Sequence, residues 1–232
     1  MISYLINGFS VKMLTLFLLA IFCGITPVKS FAQDSAEFAK NPLYIQETGL
    51  YDIYKTKKTD IVFFGDSHIK GADWNELLGR EKVVGRGITS DVLEGYLSRL
   101  HYIYKLEPKI CFITGGLNDI YGWIPVDKVF QYYTRIIREL RTKGIIVVVQ
   151  STLYTTKEWA NAENRNPEVE KLNKLLKEYC NQEKIEFIDL NAKMSNGIYI
   201  KNSLVNSWGH LNPRGYKIWV EEVEKVLNKL GF

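Results

Sequence analysis

The residues of this chain best suited to chemistry are a serine and a histidine far apart in sequence, Ser67 and His210. Ser67 closes Ile61-Val62-Phe63-Phe64-Gly65-Asp66-Ser67, an apolar run that breaks at a glycine. Such a pattern predicts a buried strand that delivers a hydroxyl just past its carboxyl end, although Gly-Asp-Ser is also ordinary turn chemistry. A serine hydroxyl is a poor nucleophile until a base takes its proton. His210 is the obvious base, because it alone among the three histidines sits in a polar Gly-His-Leu-Asn turn. His101 falls on an expected helix, where exposure or packing is the ordinary role. His68 follows the serine directly and is placed to line a pocket.

The elements that must position these residues are legible in the hydrophobic rhythm. Apolar runs at Ile61–Phe64, Lys82–Val84, Ile110–Thr114, Ile145–Gln150 and Ile185–Ile188 have strand length and are mostly rich in β-branched residues. Helical patterns lie between them, at Asp91–Tyr104, Val126–Lys143, Pro167–Gln182 and Pro213–Leu230. Pro125, Pro167 and Pro213 mark expected helix starts, which suit a residue without an amide hydrogen. Strands alternating with helices predict an α/β fold, a three-layer α/β/α sandwich around a five-stranded parallel sheet. In an open sheet of this kind the site lies beyond the carboxyl ends of the strands. Ser67, the loop after Val84 and the loop after Thr114 therefore converge on one edge.

The chain of 232 residues divides into an expected signal peptide over 1–32, an N-terminal surface segment over 33–59 and one domain over 60–232. The leader carries Lys12 and Lys29, no acid, an apolar core from Met13 to Ile25 and the small-residue ending Ser30-Phe31-Ala32. Export with cleavage before Gln33 is the expectation, to a periplasmic or extracellular location. A retained anchor and lipidation at Cys23 are the alternatives. Two of the 30 basic residues leave with the leader, so basic side chains nearly balance the 26 acidic ones. Nothing in that balance points to a nucleic-acid partner or a stable membrane attachment. Cys111 and Cys180 have no metal-ligand spacing and are expected as free thiols. No metal cluster or Gly-rich phosphate loop appears, so neither a metal nor another cofactor is expected.

Four segments in order, Gly65-Asp66-Ser67, Gly85-Arg86-Gly87-Ile88-Thr89-Ser90-Asp91, Gly116-Leu117-Asn118-Asp119 and His210-Leu211-Asn212-Pro213-Arg214-Gly215-Tyr216, resemble the four blocks of the SGNH (GDSL-type) hydrolase family, over residues 61–220. The resemblance implies a flavodoxin-like sheet, Ser67 as nucleophile, His210 as base, and an oxyanion hole made by the backbone amides of Ser67 and Ser90 and the side-chain amide of Asn118. Position 90 departs from the family glycine. The larger departure is Ser207, where the family carries an aspartate three residues before the histidine. What orients His210 then stays open between a backbone carbonyl or the Ser207 hydroxyl in a Ser67–His210 dyad, a carboxylate from elsewhere such as Asp189, and a catalytically weak site. The dyad is the expected arrangement.

Within the family the chain resembles exported esterases that remove acetyl or other short acyl groups from sugars, through Arg86-Gly87-Ile88 and Glu94-Gly95. Trp123, Tyr154 and Trp159, with Tyr121, are candidate platforms for a sugar ring, against the plain alternative that aromatics amounting to 13% of the chain simply pack. The expected substrate is an acylated small molecule or glycan. A lysophospholipase or thioesterase activity, and a catalytically weak carbohydrate-binding relative, are the other readings.

Overall fold

The computed structural model describes residues 37–232, within the compact unit Ser35–Phe232. The expected leader, its cleavage point at Ala32 and Cys23 lie outside the described residues. Beyond a 3-10 turn at Glu37–Lys40, the helices are α1 (Pro42–Ile53), α2 (Ser67–Lys70), α3 (Trp74–Leu78), α4 (Leu93–Ser98), α5 (Leu100–Tyr104), α6 (Leu117–Tyr121), α7 (Val126–Thr142), α8 (Ala162–Glu183), α9 (Asn191–Met194) and α10 (Pro213–Leu230). The strands are β1 (Ile61–Gly65), β2 (Val83–Gly87), β3 (Ile110–Ile113), β4 (Ile146–Gln150) and β5 (Glu186–Ile188), with a small hairpin of β6 (Ser195–Asn196) and β7 (Tyr199–Ile200).

The five main strands form one sheet in the order β2-β1-β3-β4-β5, and every pairing is parallel. Because successive residues of a strand face opposite sides, β1 feeds both layers of core. Val62 and Phe64 join Tyr96, Ile103, Tyr133, Ile137 and Leu172 on one face. Ile61 and Phe63 join Trp74, Trp219 and Val223 on the other. The expected three-layer sandwich is therefore the observed fold. Cys111 and Cys180 are both free and buried, and burial pushes their thiols well above the ordinary range, Cys180 to about 12.

Three local features differ from the sequence expectation. Residues 42–53, expected only as part of a surface segment, form α1. Asn41 accepts from the Leu43 amide at its start and Pro42 occupies the first turn. Its Tyr51 hydroxyl donates to the Gly87 carbonyl at 2.8 Å, which lays the helix along the β2 edge. The helix expected across Asp91–Tyr104 breaks at Arg99, whose side chain turns inward to the sheet rather than outward. Finally α8 begins at Ala162, so Pro167 lies inside the helix instead of at its start. The added turn is held by buried Asn166, whose amide brackets Thr155 through the Thr155 amide, hydroxyl and carbonyl at 3.0–3.2 Å. Among the described residues no helix is long and apolar enough to cross a membrane.

Candidate active site

Ser67 stands at the first position of α2, directly beyond the inner strand β1. Asp66 caps that helix by accepting the His68 amide at 2.9 Å. The chain can turn there because β2 passes close by. A Cβ on Gly87 would meet backbone, including the Asp66 carbonyl oxygen at 2.6 Å. Glycine is therefore required at position 87 by close approach.

His210 reaches Ser67 from the loop before α10, with its Nε2 3.0 Å from the Ser67 Oγ. Two asparagines build that loop. The Asn206 side chain accepts from the amides of Trp208 and His210 at 2.9 and 3.1 Å. Asn212 caps α10 and donates back to the carbonyls of Ser203 and Val205. With Nε2 on the serine, the ring's other nitrogen has the Trp208 backbone carbonyl as its partner. Burial lowers the His210 pKa first and positive charge on His68 second, and the Trp208 carbonyl and Asp66 oppose them. The net shift is downward, which keeps the imidazole neutral and able to accept a proton near neutral pH.

Ser207 is exposed and makes no hydrogen bond to the ring among the described residues, so the hydroxyl considered as an orienting group is not placed for that task. The chain turns at Asn206 instead, and it is the Trp208 carbonyl that meets His210. Asp189 is also elsewhere: it faces Lys177 at 3.7 Å and accepts the Ala192 amide at 3.1 Å.

Three donors face the same space. Among the described residues the amides of Ser67 and Ser90 donate no hydrogen bond, and the Asn118 Nδ2 uses only one bond, to the Asp91 carbonyl at 2.9 Å, to fix its orientation. Ser90 sits at φ 59, the left-handed region, which explains why glycine is the comfortable residue there. A cavity of about 280 Å³ joins Ser67, His68, Ser90, Asn118 and His210, and is walled by Tyr121, Trp159 and Trp208. Of the three tryptophan and tyrosine platforms expected at 123, 154 and 159, only Trp159 lines it. Trp123 is exposed under the Arg165 guanidinium at 3.6 Å, and Tyr154 is buried beside a different cavity. Trp159 lies over Gly209, which has φ 75 and whose missing Cβ leaves room for the ring.

Sequence reasoning missed Arg99, which ties the site's loops together. Its guanidinium bonds the Asp91 carboxylate at 2.7 Å, the Arg86 carbonyl at 2.9 Å and the Gly65 carbonyl at 2.8 Å, fully buried and stacked on Phe64 and Tyr96. An arginine three residues from Tyr96 and four from Ile103, on the expected apolar face of the helical pattern, was the available signal. Asp119 was also unassigned: it is fully buried and accepts the Leu93 amide with both oxygens, at 3.1 and 3.2 Å. Among the described residues no acid, histidine or cysteine group is arranged to hold a metal.

A serine and a histidine within hydrogen-bond reach of each other, at the carboxyl edge of a parallel sheet covered by helices on both faces, are the arrangement that serine hydrolases use. The chain matches the GDSL-like lipase/acylhydrolase family over residues 63–218, and it belongs to that family of ester-hydrolysing enzymes. Solved structures of similar fold include a GDSL-like lipase from Bacteroides thetaiotaomicron VPI-5482, at 20% identity and TM-score 0.72, covering 84% of this chain and 100% of that one. A candidate acylhydrolase from Bacteroides fragilis NCTC 9343 is 21% identical with TM-score 0.69, covering 82% of this chain and 95% of the other. An acetyl xylan esterase, AlAXEase, is 17% identical with TM-score 0.62 over 72% of this chain and 99% of its own. No curated protein matches the chain.

Proposed function

We propose that the protein is a serine esterase that removes short acyl groups, acetyl foremost, from carbohydrate. The observation that carries this reading is the 3.0 Å contact between Ser67 Oγ and His210 Nε2. In the proposed reaction the Ser67 oxygen attacks the ester carbonyl carbon while His210 takes its proton. The carbonyl oxygen, now negative, receives the amides of Ser67 and Ser90 and the free Asn118 N–H. His210 then returns the proton to the departing alcohol, leaving an acyl-serine. Water repeats the sequence with the same base and frees the acid. Preorganised donors of this kind are worth about 3 kcal/mol each in the transition state. A carbonyl can hold the imidazole in the right tautomer without the charge of a carboxylate, so the Ser67–His210 dyad is sufficient for the steps as written.

The carbohydrate part of the reading is supported by Trp159 and Trp208, 42% and 76% exposed, since wide exposed ring faces at the mouth of a pocket suit the apolar face of a sugar. The solved acetyl xylan esterase of similar fold agrees with it but is too distant in sequence to carry it. The expected leader adds export as the proposed location.

One observation favours a second reading. A cavity of about 400 Å³, with Phe38, Val92, Gly122 and Ile124 as its apolar wall and Lys40, Asn41 and Glu94 also lining it, touches Ser90 and Asn118. A longer acyl chain would find cover there, as in a thioesterase or lysophospholipase. The test is acetate release by residues 33–232 from a panel of acetylated glycans, beside a chain-length series of nitrophenyl esters. The acetyl reading expects loss of kcat/KM beyond the shortest acyl groups, and a rise with chain length would replace it. Ser67→Ala should abolish every hydrolysis and His210→Ala should be equally damaging, because the two act as one unit. Wild-type activity in Ser67→Ala would end the serine mechanism.

A further inference from the structure

A second imidazole, itself paired with a buried acid, lies against the base. The His68 ring packs beside the His210 ring, with centroids 5.4 Å apart and planes tilted by 45°. The His68 Nδ1 lies 3.3 Å from Asp66 Oδ1, and their side chains are only 11% and 6% exposed. The same carboxylate oxygen accepts the His68 amide, and Tyr216 on α10 donates its hydroxyl to the His68 carbonyl at 2.8 Å. Both the ring and the backbone of His68 are thus fixed at the wall of the catalytic pocket.

When Ser67 gives up its proton, a positive imidazolium appears in a half-buried place, and no carboxylate among the described residues bonds it. A charge in that setting is expensive unless a negative charge is near. Asp66 is that charge. Burial pushes its carboxyl upward, but hydrogen bonds from the His68 ring and amide, with positive charge on His68 and His210, together outweigh burial and hold it below the usual carboxylate range.

We propose that the Asp66–His68 pair is the electrostatic partner of His210: with His68 neutral the pair carries the net negative charge of Asp66 and supports the imidazolium, and with His68 protonated that support is cancelled. The proposal rests on the serine esterase reading above and adds a requirement for two neutral imidazoles. No proton passes to the pair, since the Ser67 proton goes to His210 Nε2 and from there to the alcohol. Asp66 and His68 are positioning residues that act through His210. The other titratable groups that bear on the pair are Tyr216 on α10, whose hydroxyl meets the His68 carbonyl, Lys70, which is paired with Glu47 at 2.8 Å, and two buried acids that interact with the Asp66 charge, Asp91, paired with Arg99 at 2.7 Å, and Asp119, which burial raises to about 7. Each pair is internally neutralised, so neither supplies the missing negative charge.

The test compares wild type with His68→Gln and Asp66→Asn, both uncharged at every pH and both able to keep a hydrogen bond, Asn also being a competent helix cap. NMR titration of the His210 ring reads the coupling without any substrate. Asp66→Asn should lower its pKa by about one and kcat by about tenfold. His68→Gln should raise the His210 pKa, the opposite direction. Unchanged His210 pKa values in both folded variants would overturn the proposal. Wild-type inertness to a fluorophosphonate and to every ester, with the NMR coupling intact, would instead refute the esterase reading alone.

Discussion

Replacing Arg99 with methionine tests whether one buried side chain holds the catalytic loops in register. The guanidinium makes three short hydrogen bonds, to Asp91, to the Arg86 carbonyl and to the Gly65 carbonyl, and the last lies two residues before Ser67. Methionine can fill the space between Phe64 and Tyr96 but removes the guanidinium from all three acceptors, leaving the Gly65 carbonyl only the Ile88 amide at 3.2 Å and the Asp91 carboxylate only the Val92 amide at 2.9 Å. Removing one member of a buried ion pair costs about 3–5 kcal/mol, and a stranded carbonyl about 1 kcal/mol or more. Protonation of Asp91 softens the loss. Burial already pushes its carboxyl up to about 6 with Arg99 beside it, so without the arginine it becomes neutral at pH 7. A net loss of about 4 kcal/mol follows, a large share of the roughly 5–15 kcal/mol that holds a domain folded. With a urea slope of about 2 kcal/mol per molar, the midpoint should fall by about 2 M. Arg99→Lys keeps the charge but loses the planar fork, and about half that shift is expected. Activity should drop in both variants under conditions where they are fully folded, since the Asp91 carbonyl also holds Asn118. A midpoint shift below about 0.5 M for Arg99→Met, with hydrolysis intact, would refute the view that this residue positions the site.

Asn118→Ala should lower kcat by roughly 10²-fold with little change in KM, as steady-state kinetics on a short-chain ester would register, because its free N–H serves the transition state. Ser90→Gly should stabilise the fold by about 1 kcal/mol in urea unfolding and retain hydrolysis, because it relieves a left-handed serine while keeping the amide. In Gly209→Ala the new Cβ would fall 2.5 Å from a Trp159 ring carbon on a backbone of φ 75, so Trp159 must move, and KM for a glycan should rise more than KM for a nitrophenyl ester. Asp119 is raised to about 7, chiefly by burial and against the Leu93 amide bond. A raised carboxyl stabilises the fold fully below its unfolded value near pH 4 and loses that contribution as pH climbs through 7, at about 1.4 kcal/mol for each pH unit between those two values. Asp119→Asn should flatten the decline of stability between pH 4 and 7, which thermal unfolding across that range would measure.

The parallel sheet was legible in the chain because its strands are buried on both faces. Ile61 to Phe64 and Ile110 to Ile113 read as unbroken apolar runs, and a run of that kind flanked by helical periodicity has few other places to go. Ser67, Asn118 and His210 were legible because glycines, turns and a proline punctuate the ends of those elements, and the ends of parallel strands share an edge. Tertiary contact decided the rest. Nothing local makes Arg99 turn inward, since the carbonyls it satisfies at Gly65 and Arg86 lie 34 and 13 residues away in the chain. The N-terminal stretch became α1 because Tyr44, Glu47 and Tyr51 find buried places against the domain, a gain that weak periodicity in the stretch itself did not advertise. The orientation of His210 was equally beyond local reading. The sequence specifies side chains, and the group that meets the ring is a backbone carbonyl, which every residue carries and only the folded turn at Asn206 brings to bear.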